Sequence, residues 1–279
     1  MGTYAVTGAA SGMGAATVQR LRAAGHRVIT VDVKDADVVA DLSTEAGRRE
    51  ASLRVLTTAE GRLDGAVLAA GIGPNRGPDV GRIAEVNYLG AVELLARWQP
   101  ALAATEHAKV VVISSNSTTT TPLVPQRAVR ALLAGDVARA TRAVRLYGPA
   151  RPAMIYAASK IALTRWVRRH AVQADWAGAG IRLNALAPGA ILTPLLEQQL
   201  ADPQQSKAVR RFPIPVGGFG DPGHLADWVC FMLSDSAEFL CGSLIFVDGG
   251  TDAHFRPDDW PKPVPLRQLV RYARRFRNS

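Results

Sequence analysis

The stretch from Thr3 to Gly25 constrains this chain most. Thr3-Tyr4-Ala5-Val6 reads as a short buried strand. It runs into Thr7-Gly8-Ala9-Ala10-Ser11-Gly12-Met13-Gly14, after which Ala16, Val18 and Leu21 follow at helical spacing up to a stop at Gly25. A strand, a glycine turn and a helix in that order make a phosphate cradle. Gly8 and Gly12 let backbone N–H groups approach a pyrophosphate, and the helix N-terminus adds a favourable dipole. Gly14 lets the helix lie close to the strand. The bland alternative, a plain tight turn, would not need the flanking strand and helix.

Strand and helix patterns alternate along the rest of the chain. Strands are expected at 3–7, 27–32, 37–40, 65–69, 109–114, 181–186 and 243–248, and helices near 13–24, 43–58, 80–104, 155–177 and 222–233. Such alternation predicts an α/β fold: a single Rossmann-type, doubly wound parallel sheet covered on both faces. A length of 279 residues suits one such domain over 1–250, with a helical inserted segment at 117–153 and a basic C-terminal extension at 251–279. Sheets of this kind bind ligands beyond the carboxyl ends of their strands. Gly8, Asp32, Gly71, Ser115 and Gly189 all fall at such ends, so they should converge on one crevice.

Two further features give the crevice its chemistry. Arg27 to Val31 is a β-rich run ending in Asp32, 18 residues after Gly14. An acid there can bind the hydroxyls of an adenosine ribose and repel a 2′-phosphate. Lys34 is the only basic residue nearby in sequence, so NAD is expected rather than NADP; a strand-end Asp capping a turn is the plainer reading. Tyr156-Ala-Ala-Ser-Lys160 then sets a phenol and an ammonium at i and i+4 of a helix, on one face. A free phenol titrates near about 10. A neighbouring cation favours the phenolate, which would fit Tyr156 for proton exchange between an alcohol and a ketone.

With these pieces in order, the chain resembles the short-chain dehydrogenase/reductase family from residue 3 to about 250. The glycine turn is similar to the family's cofactor motif and implicates Gly8, Ser11, Gly12, Met13 and Gly14. Asp41-Leu42 resembles the pair bordering the adenine. Leu68-Ala69-Ala70-Gly71 stands where the family usually has Asn-Asn-Ala-Gly, and implicates Ala70 and Gly71. Asn87, in Val86-Asn87-Tyr88-Leu89-Gly90, is similar to the family's helix asparagine, and Ser115, after Ile113-Ser114, to its catalytic serine. Pro188 to Pro194 resembles the segment holding the nicotinamide and implicates Pro188, Gly189, Ile191 and Thr193; Asp248-Gly249-Gly250 resembles the end of the last strand. The resemblance implies catalysis by Asn87, Ser115, Tyr156 and Lys160. Ser115 would hold the substrate oxygen, and Tyr156 would exchange the proton. Lys160 would lower the Tyr156 pKa and bind the nicotinamide ribose, with Asn87 anchoring a water behind it. Departing from many members, 41 positions separate Ser115 from Tyr156.

Charge is concentrated in the two additions. The chain carries +9 overall. Within 117–153, Arg127, Arg130, Arg139, Arg142, Arg145 and Arg151 oppose Asp136 alone; within 253–279, seven basic residues oppose Asp258 and Asp259. No nucleic-acid motif accompanies them, so no nucleic-acid partner is expected. Cys230 and Cys241 form no C-x-x-C and read as buried free thiols in a reducing cytoplasm. The first strand begins at once, which predicts no signal peptide, and no apolar run is long enough for a transmembrane helix. The five histidines are scattered, so no metal is expected.

Substrate and assembly are read from the loops. Leu195, Leu196, Phe212, Pro213, Ile214, Pro215 and Val216 follow Pro194 and could close over an apolar molecule or serve the core. The expected substrate is a small apolar alcohol or ketone, alicyclic or steroid-like as the resemblance implies. A 3-oxoacyl thioester, or a nucleotide-dependent binding module without turnover, are the alternatives. In the family the Tyr/Lys helix commonly packs across a dimer axis. The insertion, with Val129, Leu132, Leu133, Val137 and Val144 at helical spacing, should cover that helix and leave a homodimer through the last helix and strand. Residues 260–265 are proline-dense and should be extended. Leu266, Leu269, Val270, Ala273 and Phe276 then form a helical stripe, expected to dock on the body or across a dimer, with peripheral membrane contact as the second destination.

Overall fold

The computed structural model describes residues 1–74, 79–259, 265 and 268–275. Seven strands form one sheet: β1 (Thr3–Thr7), β2 (Arg27–Asp32), β3 (Val38–Val39), β4 (Gly65–Leu68), β5 (Lys109–Ile113), β6 (Arg182–Pro188) and β7 (Leu244–Val247). They lie in the order β3-β2-β1-β4-β5-β6-β7, and every pairing is parallel. The doubly wound sheet expected from the alternation is thus present. Its strand order reverses between β1 and β4, the place where a crevice must open.

The helices are α1 (Gly12–Ala23), α2 (Glu45–Thr58), α3 (Gly81–Ala84), α4 (Gly90–Ala103), α5 (Ser117–Thr120), α6 (Gln126–Leu133), α7 (Val137–Ala143) and α8 (Arg151–His170). After β6 come α9 (Pro194–Ala201), α10 (Pro203–Arg210), α11 (Pro222–Leu233), α12 (Thr251–Phe255) and α13 (Leu269–Arg275). Alternate strand residues feed two apolar layers, as a parallel sheet buried on both faces requires. Ala5, Ile29, Ala66, Val110 and Val112 pack toward α2, α4 and α8, whereas Tyr4, Val6, Val28, Val67 and Val111 pack toward α1 and α11. α1 and α11 lie side by side and are also joined by Arg20 Nε to Asp227 Oδ1 at 2.7 Å.

Four local differences from the sequence reading have physical causes. The strand expected at 37–40 is only two residues long, because it pairs with β2 alone at the sheet edge. The helix expected at 80–104 is interrupted by a π-turn at Glu85–Leu89, on which Asn87 sits. The helix expected at 155–177 begins earlier, at Arg151, with Pro152 in its first turn, and ends at His170. Cys230 and Cys241 are free but half-buried, and the Cys241 thiol donates to the Ala171 carbonyl at 3.2 Å.

The insertion is helical. α6 buries Ala128, Val129, Ala131 and Leu132, α7 packs beside it, and α6 lies against α8. Gly135 takes φ +77° in the turn between them, and Asp136 caps α7 by accepting from Arg139 N at 2.7 Å. In the tail, residues 260–264, 266, 267 and 276–279 lie outside the described residues. Of the expected stripe, Leu269 and Val270 on α13 are exposed in the single chain. No helix among the described residues is long and apolar enough to cross a membrane.

Candidate active site

A cavity of about 700 Å³ opens at the switch point. Every residue expected in the site lines it except Asn87. Its first wall is the glycine turn. Gly8 has φ +68°, and a Cβ there would meet Ala70 N at 2.6 Å; a Cβ on Gly14 would collide with the Gly8 carbonyl. Only glycine lets β1, α1 and the strand-end loop after β4 approach this closely. Ala70 N also donates to Thr7 Oγ1 at 3.1 Å, which joins the two strand ends without the asparagines usual in similar motifs. Across the cavity, a Cβ on Gly12 would lie 3.1 Å from Thr193 Cγ2. Thr193 therefore stands close over the turn, where a side chain on Gly12 would crowd it, and the backbone N–H groups of the turn are left accessible to an anionic group such as a pyrophosphate.

The acidic end lies beside this wall. Asp32 Oδ2 accepts from Ala10 N at 3.0 Å and Oδ1 from Val33 N at 2.7 Å, so the carboxylate both braces the turn and faces the cavity. Each oxygen retains acceptor capacity for a ribose hydroxyl. Asp41 accepts from Ser43 N at 2.9 Å; its bonds to Ser43 outweigh burial and hold its carboxyl below the usual range, with Arg82 adding a smaller pull. Arg82 lines the cavity with its Nη2 3.4 Å from Asp41 Oδ2, whereas the exposed Lys34 does not. Among the described residues, the cation that lines the cavity beside Asp41 therefore comes from α3, 50 residues beyond Asp32, a placement that sequence adjacency cannot reveal.

Below this end sits another group the sequence did not expose. Arg48, 4% exposed, donates to the Leu42 carbonyl at 3.1 Å, to Glu85 Oε2 at 2.9 Å and to Glu93 Oε2 at 2.9 Å. One guanidinium fixes the Asp41-Leu42 loop to the π-turn and α4, using its fork of donors in three directions.

The catalytic end is built by β5 and α8. Ser117 N donates to Ser115 Oγ at 3.1 Å, so the Ser115 proton is free to be donated elsewhere. It lies in hydrogen-bonding contact with Tyr156. Burial pushes the Tyr156 phenol up, and the Ser115 bond pulls it partly back. The lowering expected from Lys160 is not found. The Lys160 ammonium, buried beneath the site, donates to the Ile113 carbonyl at 2.8 Å and lies 5.9 Å from the Tyr156 ring centroid. Burial drops its own pKa to about 8.

Asn87 stands behind these groups. Its Oδ1 accepts from Ile72 N at 2.8 Å and its Nδ2 donates to Ile72 O at 2.9 Å. A Cβ on Gly71 would fall 3.3 Å from Asn87 Oδ1 and 3.8 Å from Lys160 Nζ. The asparagine side chain therefore clamps the loop that lies over the lysine. Part of the lining is apolar. Leu195, Leu196 and Phe212 join Ile72, Val209 and Ala153 there, with Gln199 and Thr121 as polar exceptions. The other apolar residues of the 195–216 segment serve elsewhere: a Cβ on Gly249 would meet Ile214 and Val216, and one on Gly250 would meet Pro215.

A parallel sheet whose switch point opens on a glycine cradle belongs among the dinucleotide-binding α/β proteins. Comparison with known proteins narrows the class. The short chain dehydrogenase family model matches residues 3–125, and the enoyl-(acyl carrier protein) reductase model matches residues 140–252. The 3-alpha-hydroxysteroid dehydrogenase/carbonyl reductase of Comamonas testosteroni is 40% identical over 92% of this chain and 99% of its own. The cis-4-hydroxycyclohexanecarboxylate dehydrogenase of Sinomonas cyclohexanicum is 31% identical over 89% and 95%. Among solved structures, the 3-alpha-hydroxysteroid dehydrogenase of Pseudomonas sp. B-0831, complexed with NADH, superposes with a TM-score of 0.87 at 42% identity, covering 92% of this chain and 100% of that one. The chain belongs to the short-chain dehydrogenase/reductase family. Asp41-Leu42-Ser43-Thr44, the loop Ala70-Gly71-Ile72-Gly73-Pro74 and the long insertion are where its sequence most resembles bacterial 3α-hydroxysteroid dehydrogenase/carbonyl reductase.

Proposed function

We propose that this chain is an NAD(H)-dependent oxidoreductase that interconverts a secondary alcohol and a ketone on an apolar alicyclic or steroid-like skeleton. The observation that supports this reading is that one cavity is lined at once by Ser115, Tyr156 and Lys160, by the glycine turn Gly8, Gly12 and Gly14, and by the apolar side chains Leu195, Leu196 and Phe212. Gly8, Gly12 and Gly14 fit a pyrophosphate, and Asp32 fits the ribose hydroxyls that a 2′-phosphate would replace. Pro188, Gly189, Ile191 and Thr193 would border the nicotinamide, which, when bound, supplies the acceptor or donor of hydride.

The protein's part is proton handling and orientation. Ser115, with its oxygen already accepting from Ser117 N, directs its own proton to the substrate oxygen. Tyr156 gives its phenolic proton to the ketone oxygen in reduction, leaving the phenolate, and that phenolate takes the alcohol proton in oxidation. Lys160 presents an ammonium at the floor of the site, where it can hold the ribose next to the nicotinamide, and Asn87 positions the loop above it. The test is NADH consumption or formation with a panel of alicyclic and steroid ketones and alcohols. Nicotinamide binding without turnover on any of them would favour a binding module instead.

Association as a homodimer belongs to the same proposal. β7 is an edge strand, every residue of which is half-buried, and Trp228 and Phe231 of α11 and Phe239 in the loop before β7 are 42%, 47% and 104% exposed. These are apolar side chains that a second copy could cover, and α6 already lies against α8. Two free thiols suit a cytoplasmic setting.

A further inference from the structure

We propose that the insertion at 117–153 is a docking face for an anionic lipid surface, placed at the rim of the substrate end of the cavity. Its two ends reach the cavity, since Thr121 and Ala153 both line it. Between them, Leu123 is 84% and Leu146 92% exposed. The two turns are tied together: the Tyr147 hydroxyl, next to Leu146, donates to the Leu123 carbonyl at 3.0 Å. Leu123 is held at φ +57°, a left-handed conformation that a leucine rarely adopts, with its side chain in solvent. A strained, exposed leucine has no role in the core of this chain.

Charge defines the partner. Arg127, Arg130, Arg139, Arg142 and Arg145 are all exposed, and none forms an ion pair among the described residues. Arg127 and Arg130 share one face of α6, directly after the Leu123 turn; Arg139 and Arg142 share one face of α7, before the Leu146 turn. Asp136, the only acid in the segment, is spent as the α7 cap. A second copy would present the same basic patch across a symmetric contact, so like charges would meet. The chain's own tail is equally basic and is repelled in the same way. An anionic surface is complementary. The protruding leucines select one that can also bury apolar side chains, which a phospholipid bilayer does and a nucleic-acid backbone does not. Docking there would set the cavity's apolar end against the phase in which an apolar alcohol or ketone concentrates.

The test is co-sedimentation of the full chain with vesicles of phosphatidylcholine alone or with added phosphatidylglycerol. Partition to the anionic vesicles is expected, weakening as salt shortens the Debye length. Two double variants separate the contributions: Leu123→Asn with Leu146→Ser, and Arg127→Gln with Arg130→Gln. Asparagine tolerates the left-handed conformation, so the first pair should fold. Each pair should lower partition at least tenfold while leaving the melting temperature and turnover of a water-soluble ketone unchanged. Absence of wild-type binding to anionic vesicles would overturn the proposal. So would binding that survives both double variants and vanishes when 260–279 is deleted, which would assign it to the tail. Leucine variants that bind as well as wild type, with a short DNA duplex competing as strongly as lipid, would overturn it in favour of a general polyanion surface. The readout is binding, so it stands or falls apart from the assignment of the active site.

Discussion

The Lys160 ammonium donates to the Ile113 carbonyl at 2.8 Å, at the point where β5 ends and the serine loop begins. Burial without a carboxylate partner lowers its pKa from the ordinary 10.5 to about 8. The folded pKa is therefore below the unfolded one. Between these values the unfolded chain binds the additional proton, so the Lys160 contribution to stability rises with pH across that window and is unfavourable below it. Cofactor binding should show the opposite trend, because the ribose contact uses the charged form. NADH affinity measured by fluorescence should fall as pH rises through about 8 in the wild-type protein. Lys160→Met should bind more weakly and lack that limb; an identical limb in the variant would assign the titration to another group.

Tyr156→Phe keeps the ring and removes the hydroxyl. Turnover should fall by at least about 10²-fold, the scale of general acid–base catalysis, while NADH affinity changes little. Ser115→Ala should also act on kcat, because it removes the hydroxyl that interacts with Tyr156 before substrate binds and turns its proton to the substrate oxygen afterwards. Steady-state kinetics beside equilibrium cofactor titration make the check. Near-normal turnover in Tyr156→Phe would remove the proton-transfer assignment.

The sequence displayed the parts of the site that repeat a local physical requirement. Gly8, Gly12 and Gly14 were legible because a close approach admits no Cβ, and Tyr156 with Lys160 because i and i+4 share a helical face. The strands were legible because burial on both faces leaves continuous apolar runs such as Val110 to Ile113. Arg82 and Arg48 were not. Each reaches its partners across 30 or more positions, Arg82 to Asp41 and Arg48 to Glu85 and Glu93, and an exposed-looking arginine on a helix carries no local mark of that. The direction of the Tyr156 shift was also hidden, since spacing places Lys160 on the right face but says nothing of the Ile113 carbonyl that draws its ammonium away.

Cofactor choice should depend on Asp32. Its carboxylate is fixed by Ala10 N and Val33 N on the cavity wall, and no cation accompanies it in the glycine turn. Asp32→Ala should narrow the preference for NADH over NADPH, and Asp32→Arg could reverse it. Arg82→Ala, made on the Asp32→Ala background, should reduce whatever NADPH use appears, because Arg82 is the cavity-lining cation on the adenosine side. The ratio of kcat/KM for the two cofactors is the readout. A wild-type protein that uses NADPH better than NADH would overturn the role given to Asp32.

Arg48 ties the Asp41-Leu42 loop, proposed to border the adenine, to the π-turn and α4, and its loss should be felt twice. Arg48→Met removes both ion pairs and the bond to the Leu42 carbonyl, leaving Glu85 and Glu93 without their shared partner. Breaking one side of a buried pair costs about 3–5 kcal/mol, and the partial exposure of the two glutamates argues for the lower end. Chemical denaturation should report that loss. NADH affinity should fall more than affinity for reduced nicotinamide mononucleotide, which lacks the adenosine half. Equal losses for both would mean that Arg48 supports the fold in general and does not act through Leu42.

Assembly should run through the edge that β7 leaves open. Trp228 and Phe231 are one turn apart on the outer side of α11, in edge-to-face contact with ring centroids 6.1 Å apart, and the edge strand β7 offers half-buried apolar residues. Two copies related by a two-fold axis would pair these surfaces with themselves and remove them from water. The usual alternative surface on α8 is already partly covered by α6. Light scattering should give about twice 29.7 kDa. Phe231→Asp should shift it to the monomer without moving Ser115 or Tyr156, which lie on other elements. Deleting 260–279 should weaken the dimer if the exposed stripe of α13 packs across the axis, and leave it intact otherwise. A tetramer in the wild-type protein, or a dimer indifferent to Phe231→Asp, would place the interface elsewhere.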